Sequence, residues 1–137
     1  MQILIHSNVD DKDIVNTMIL SKYKGKWLYC KRRGCLTYEF PQGKRERGED
    51  IEETAHRVLS ECTGAKKYEL IPICTYSITD NGVTEYGKLY FGGVVDLGSK
   101  PSGEIERIYY LDAHPEKLTY PEVNSILVAE AKRKGIE

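Results

Sequence analysis

Between Phe40 and Ala65 the chain reads FPQGKRERGEDIEETAHRVLSECTGA, and few backbone arrangements satisfy that order of residues. Tyr38, Glu39 and Phe40 read as the end of a strand that Pro41 stops, because proline has no N–H to give to a sheet ladder. Gly43 and Gly48 permit a tight polar loop. From Asp50 onward Ile51, Ala55, Val58, Leu59 and Cys62 recur at helical spacing, so at ~100° per residue they form one apolar stripe. Gly64 is the expected C-cap of that amphipathic helix. Glu49, Asp50, Glu52 and Glu53 crowd its first turns, where the helix dipole favours negative charge. Glu53, Arg57 and Glu61 stand four apart and share a different face. Strand, glycine loop and helix thus follow one another without a spacer.

This spacing resembles the Nudix box, whose pattern is glycine, five residues, glutamate, seven residues, then Arg-Glu-apolar-x-Glu-Glu-x-Gly-apolar. Gly43, Glu49, Arg57, Leu59, Glu61, Gly64 and Ala65 fall on the pattern in register, and Glu39-Phe40-Pro41 is similar to the lead-in that often precedes it. The resemblance implies an α/β fold, an alpha/beta/alpha sandwich around a mixed β-sheet, in a single domain over residues 1–137 with the box at 43–65. It implies a hydrolase of nucleoside diphosphate-linked substrates, foremost a MutT-like cleavage of a nucleoside triphosphate to monophosphate and pyrophosphate. The alternative is a catalytically inactive nucleotide- or phosphate-binding module.

The departures from the box bear on both readings and leave both open. Two of the three metal-binding glutamates of the pattern are replaced, by Val58 and Cys62, and Gln42 stands where a glycine is frequent. Magnesium is a hard ion that takes oxygen ligands in a near-octahedral shell, so valine cannot bind it and a thiolate is too soft. Glu61 is the glutamate left in family position, expected to hold Mg2+ (or Mn2+) or to orient the attacking water. Glu53 is a candidate second ligand, with Glu46 and Glu52 as other carboxylates in a rearranged shell. A solvated charge row is the plain alternative for all of them. Glu49 and Arg57 are expected to form the structural ion pair that in the family braces loop against helix.

Composition narrows the class further. At 137 residues with 40% hydrophobic side chains the chain supports one core and not two. Twenty basic against 21 acidic residues leave a net charge of -1, which argues against general nucleic-acid binding. No apolar run approaches the ~18 residues of a membrane span and no signal-peptide pattern opens the sequence, so a cytoplasmic protein is expected. Cys30, Cys35, Cys62 and Cys74 form no Cys-x-x-Cys pair, which reads as reduced thiols, with a Cys30 and Cys35 metal site as the alternative.

Elsewhere the pattern is that of strands and a final helix. Residues 2 to 7 form a short strand, and 14 to 22 with 26 to 31 form a hairpin about Lys24-Gly25. By the resemblance, Arg32, and after it Arg33 and Lys31, contact substrate phosphate; the alternative is a solvated loop end. Residues 68 to 78 and 85 to 95 pair about Asp80-Asn81-Gly82, with a bulge or edge at Pro72 and a bulge or close approach at Gly92-Gly93. Glu106, or Glu104, at the start of a strand over 105 to 111 is a candidate catalytic base or ligand, or an exposed loop-edge acid. Pro121 opens a final helix that Gly135 ends. Asn124 near its start is placed like an asparagine that reads the purine base in MutT-like enzymes, or is an ordinary surface residue. A homodimer accords with the family, though no interface is legible.

Overall fold

The computed structural model describes residues 1–98 and 105–136, apart from the side chain of Glu106. The strands are β1 (Gln2–His6), β2 (Ile14–Tyr23), β3 (Lys26–Arg32), β4 (Gln42–Lys44), β5 (Lys67–Asp80), β6 (Val83–Asp96) and β7 (Ile105–Leu111). Among the described residues the α-helices are α1 (Ile51–Thr63) and α2 (Pro121–Arg133). All seven strands join one sheet in the order β1-β5-β6-β2-β3-β7, with β4 on β2. The β2–β6 pair is parallel and the others antiparallel, so the sheet is mixed.

Two-residue turns fix the hairpin registers. Lys24 (φ 51) and Gly25 (φ 79) join β2 to β3, and Asn81 (φ 52) and Gly82 (φ 78) join β5 to β6. Positive φ at both central positions gives a turn whose twist matches the flanking strands. Pro72 sits at a register shift in β5, where the missing N–H is harmless because β1 pairs only with residues 75 to 79. Gly92 and Gly93 lie in register opposite Leu70 and Glu69, so they make no bulge. Gly92 is a close approach: a Cβ there would stand 3.1 Å from Ile19 Cγ2 and 3.3 Å from Leu59 Cδ2.

Period-two alternation divides the core between the two faces of the sheet. On one face Ile19, Leu28, Cys30, Tyr90 and Val94 pack against Ala55, Val58, Leu59 and Cys62 of α1. On the other Met18, Leu20, Trp27, Tyr29, Tyr76 and Leu89 pack against Val123, Leu127 and Ala131 of α2. The sheet is therefore filled on both sides, which is why Ile19 and Leu20 can both be apolar. This is an α/β/α sandwich.

One expected boundary is corrected. Pro41 does not end the strand region, because β4 begins at the next residue and its Gln42, Gly43 and Lys44 pair with Met18, Thr17 and Asn16 of β2. Proline loses its donor but keeps its acceptor, and the Pro41 carbonyl takes the Ile19 N–H at 2.9 Å. Tyr38 and Glu39 make isolated bridges, Glu39 to Cys30 and Tyr38 to Leu118.

Candidate functional site

The loop between β4 and α1 is held by its own charges. Asp50 caps α1: its carboxylate accepts the Glu53 N–H at 2.8 Å, and the Glu53 carboxylate accepts the Asp50 N–H at 3.0 Å. At the other end Gly64 (φ 76) takes the left-handed cap conformation and gives its N–H to Ser60. Arg57 then reaches back from the helix. Its Nε lies 2.7 Å from Glu49 Oε2 and its Nη2 donates to Glu49 Oε1 at 3.1 Å and to the Lys44 carbonyl at 2.8 Å. Glu49 Oε1 also accepts the Glu46 N–H and the Thr54 hydroxyl. The hydrogen bonds from Arg57 come first among the causes that lower the Glu49 carboxyl to about 2.

Arg57 is the meeting point of three carboxylates. Glu46 at 3.7 Å and Glu61 at 3.4 Å join Glu49 around the guanidinium. Glu61 is half exposed and directed to Arg57, while Glu53 serves the helix cap. The two glutamates proposed as ligands therefore have separate local partners.

The box positions that lack glutamate are packed. Val58 is 2% exposed, and a Cβ on Gly43 would stand 2.7 Å from Val58 Cγ2, so this valine fills the space directly over the box glycine. Cys62 is buried with its Sγ 3.9 Å from the Gln42 carbonyl oxygen. Cys30 belongs to the same core cluster, and its Sγ donates to the Glu39 carbonyl oxygen at 3.6 Å. The influence of Cys62, with burial adding to it, raises the Cys30 thiol, and the influence of Cys30 lowers that of Cys62. The donor set fails the requirements of magnesium: at two of the three box positions the side chains offer a hydrocarbon and a sulfur in place of hard oxygens. Among the described residues no group of three or more His, Cys, Asp or Glu side chains is placed to hold a metal ion.

Beside the box loop, on the α2 face of the sheet, lies a cleft of about 480 Å3. Arg32, Gln42, Gly43, Lys44 and Tyr76 line it, with Tyr120 and Val123 from the start of α2. Arg32 is oriented from below by Glu39, a carboxylate only 3% exposed. Glu39 Oε1 accepts from Arg32 Nε at 3.1 Å and from Gln42 Nε2 at 3.0 Å, and its Oε2 accepts from Thr119 at 3.3 Å. The buried Tyr76 hydroxyl has no hydrogen-bond partner among the described residues. A Cβ on Gly87 would come within 2.3 Å of the Tyr76 ring, so only glycine accommodates that side chain.

The other expected residues lie elsewhere. Arg33 is exposed in the turn after β3, outside the cleft lining, and Lys31 lies over the Tyr38 ring at 4.4 Å. Asn124 is buried, not on the surface, and its Nδ2 has no partner among the described residues. It lines a second cavity of about 320 Å3 with Tyr29, His114 and Lys132, so it does not share the Arg32 cleft. His114 stacks on Trp27 at 4.6 Å and meets the Tyr29 hydroxyl at 2.5 Å, and burial lowers its imidazole below the ordinary value. Glu104 and the side chain of Glu106 lie outside the described residues. Sequence reasoning missed Tyr76, Lys44 and Glu39 as parts of the site. Glu39 carried a signal in the Glu-Phe-Pro lead-in, whereas Tyr76 is one of ten tyrosines and carried none.

A mixed sheet between two helices, with its glycine loop tied to the following helix by a Glu-Arg pair, is the arrangement of a Nudix-fold protein. The NUDIX domain family model matches residues 13–125, and the chain belongs to that family. Among curated proteins none matches the chain by sequence. Solved structures share the fold. The pyrophosphohydrolase BsRppH of Bacillus subtilis superposes with a TM-score of 0.84 at 24% identity over 99% of this chain and 92% of its own. The NUDIX domain of Shewanella oneidensis NrtR, complexed with ADP ribose, gives 0.68 at 15% identity over 93% and 94%. A MutT NUDIX hydrolase from Burkholderia pseudomallei gives 0.60 at 18% identity over 83% and 95%.

Proposed function

We propose that this protein is a Nudix-fold module that binds a nucleoside diphosphate-linked small molecule in the Arg32 cleft and does not hydrolyse it with the three-glutamate magnesium shell of the box. The observation that carries the reading is the packing of Val58 onto Gly43 together with the burial of Cys62 under the Gln42 carbonyl. Both put core contacts where the hydrolase pattern has metal ligands.

The cleft supplies what a diphosphate needs. Arg32 is aimed by the buried Glu39 carboxylate, and Lys44 offers a second cation from the end of β4. The Tyr76 hydroxyl is a buried polar group that gains a partner when a ligand or water reaches it. Tyr120, a partly exposed lining residue, supplies an aromatic ring on which a base can stack. The NrtR domain, with its bound ADP ribose, is a case of this fold holding such a ligand.

A second reading, a hydrolase with a rearranged shell, is favoured by the family and by the gathering of Glu46, Glu49 and Glu61 at one guanidinium. It requires Glu61 to leave Arg57 and, with Glu53 or Glu106, to take up Mg2+ or Mn2+ when substrate arrives. One experiment separates them. The protein is incubated with nucleoside triphosphates, ADP-ribose and dinucleotide polyphosphates in excess magnesium or manganese, beside a Glu61→Gln control. Pyrophosphate or monophosphate release is measured together with the melting temperature. Stabilisation without release supports the module; release that the control abolishes establishes the hydrolase.

A further inference from the structure

Asn124 is a buried polar side chain outside the Arg32 cleft. It is 3% exposed, and its Nδ2 has no hydrogen-bond partner among the described residues. A buried donor left unmade costs free energy, so such groups generally meet water or a ligand. The amide stands in the wall of the cavity of about 320 Å3, a volume at the small end of ligand pockets. Leu118 and Val128 give that cavity apolar walls. Its lining holds the exposed Lys132 and no carboxylate, and among the described residues no ion pair engages the Lys132 ammonium.

The rest of the polar wall is satisfied from within. The Tyr29 hydroxyl, which burial keeps protonated, donates to His114 Nδ1 at 2.5 Å. Burial, then the charges of Lys132 and Lys22, push the His114 imidazole below its ordinary value, so it is neutral at pH 7 and does not add to the charge of the site. The cavity thus offers an unmet donor, an apolar middle and an unbalanced cation. Asn124 and Lys132 lie about two turns apart on α2, ~12 Å along the axis, and helical side chains lean toward the N-terminus, which brings the lysine stem toward the amide. Tyr120 and Val123 line the Arg32 cleft, whereas Asn124, Val128 and Lys132 line this cavity, so the two sites are separate.

We propose that this cavity is a second small-molecule site, which takes a monocarboxylate with an apolar body and a carbonyl acceptor at its far end. Lys132 pairs with the carboxylate, Leu118 and Val128 cover the body, and Asn124 Nδ2 donates to the carbonyl oxygen. The two ends also exclude. A dicarboxylate would bring one charge to Asn124 with no cation to meet it, and an amine would face the Lys132 ammonium. The site does not depend on the diphosphate reading of the Arg32 cleft.

The test is titration calorimetry of the full-length protein with 4-acetylbenzoate, which carries both ends on one ring. Benzoate lacks the carbonyl and acetophenone lacks the carboxylate. The expected result is that 4-acetylbenzoate binds about tenfold more tightly than either, and that the Asn124 side-chain amide signals move in a nitrogen-15 spectrum. Lys132→Gln, at an exposed position that leaves folding intact, should weaken the probe about tenfold and remove its advantage over acetophenone. Asn124→Leu should weaken it about tenfold and remove its advantage over benzoate, without lowering the melting temperature, since no hydrogen bond of Nδ2 is lost. Excess pyrophosphate, directed at Arg32 and Lys44, should leave the affinity unchanged. No binding of 4-acetylbenzoate at millimolar concentration, equal affinity for the three compounds, an affinity unchanged in either variant, or displacement by pyrophosphate would each overturn the proposal.

Discussion

Exchange of Gly43 and Val58 in a double-mutant cycle probes the packing that separates this helix from a metal-binding one. Val58→Ala deletes two buried methyl groups; at ~0.8 kcal/mol each, with a term for the hole left behind, the loss is about 2 kcal/mol. Gly43→Ala places a carbon 2.7 Å from Val58 Cγ2, well inside the ~3.5–4.0 Å of an ordinary carbon contact, and overpacking of this kind costs about 1–3 kcal/mol. The two changes relieve one another. With Ala at position 58 both Cγ atoms are gone and the nearest remaining atom of that side chain, Cβ, is 3.9 Å away. The new methyl then occupies part of the hole. The double variant is expected to lose about 2 kcal/mol, where the sum of the singles is about 4 kcal/mol, a coupling near 2 kcal/mol. Urea unfolding followed by the fluorescence of Trp27, the single buried tryptophan, measures all three chains. Additivity to within about 0.5 kcal/mol would refute the claim that Val58 fills the space over the box glycine.

Further outcomes follow from the same geometry. The Glu49 carboxyl is depressed from 4.5 to about 2 by Arg57, so its contribution is complete above 4.5 and is lost as pH falls through that window. With allowance for partial exposure it amounts to about 2 kcal/mol, and Glu49→Gln should flatten this part of the urea-midpoint pH profile. Asp50→Ala removes the carboxylate that accepts the Glu53 N–H and should cost about 1 kcal/mol in the same unfolding assay. Arg32→Ala should weaken the ligand found by thermal shift about tenfold in titration calorimetry, about 1.4 kcal/mol, and should also lower the melting temperature of the free protein, because it leaves the buried Glu39 carboxylate without its cation. An unchanged affinity would remove Arg32 from the cleft's function.

What the sequence disclosed was local, and what it hid was long-range. Helix α1 was legible because three independent signals agreed: the apolar stripe, the acids crowding its start and Gly64 after it. The two hairpin turns were legible because positive φ at both central positions favours Asn-Gly, as at Asn81-Gly82, and because Gly25 marks the other turn between two strand-like runs. Strand β4 was not, since three residues with no alternation are recruited by β2 and by the Pro41 carbonyl, not by their own propensity. The parallel β2–β6 pairing joins strands far apart in sequence, and no local pattern encodes it. At the site, the Glu49–Arg57 pair was expected from the resemblance to the box, but the placing of Glu39 beneath Arg32 exists only once Glu39 bridges to Cys30 of β3. Asn124 was read as a base-contacting residue or an ordinary surface one, and it falls between Val123 and Leu127 on the buried side of α2, one residue and three from them.

Manganese binding followed by electron paramagnetic resonance addresses the central claim most directly, because bound ion depletes the free-ion signal whatever the substrate is. The packed Val58 and Cys62 positions predict that the protein, with and without a nucleotide that stabilises it, binds no more manganese than the nucleotide alone and no less after Glu61→Gln. One protein-bound ion per chain, lost in Glu61→Gln, would contradict the account and return the chain to the metal-dependent hydrolases.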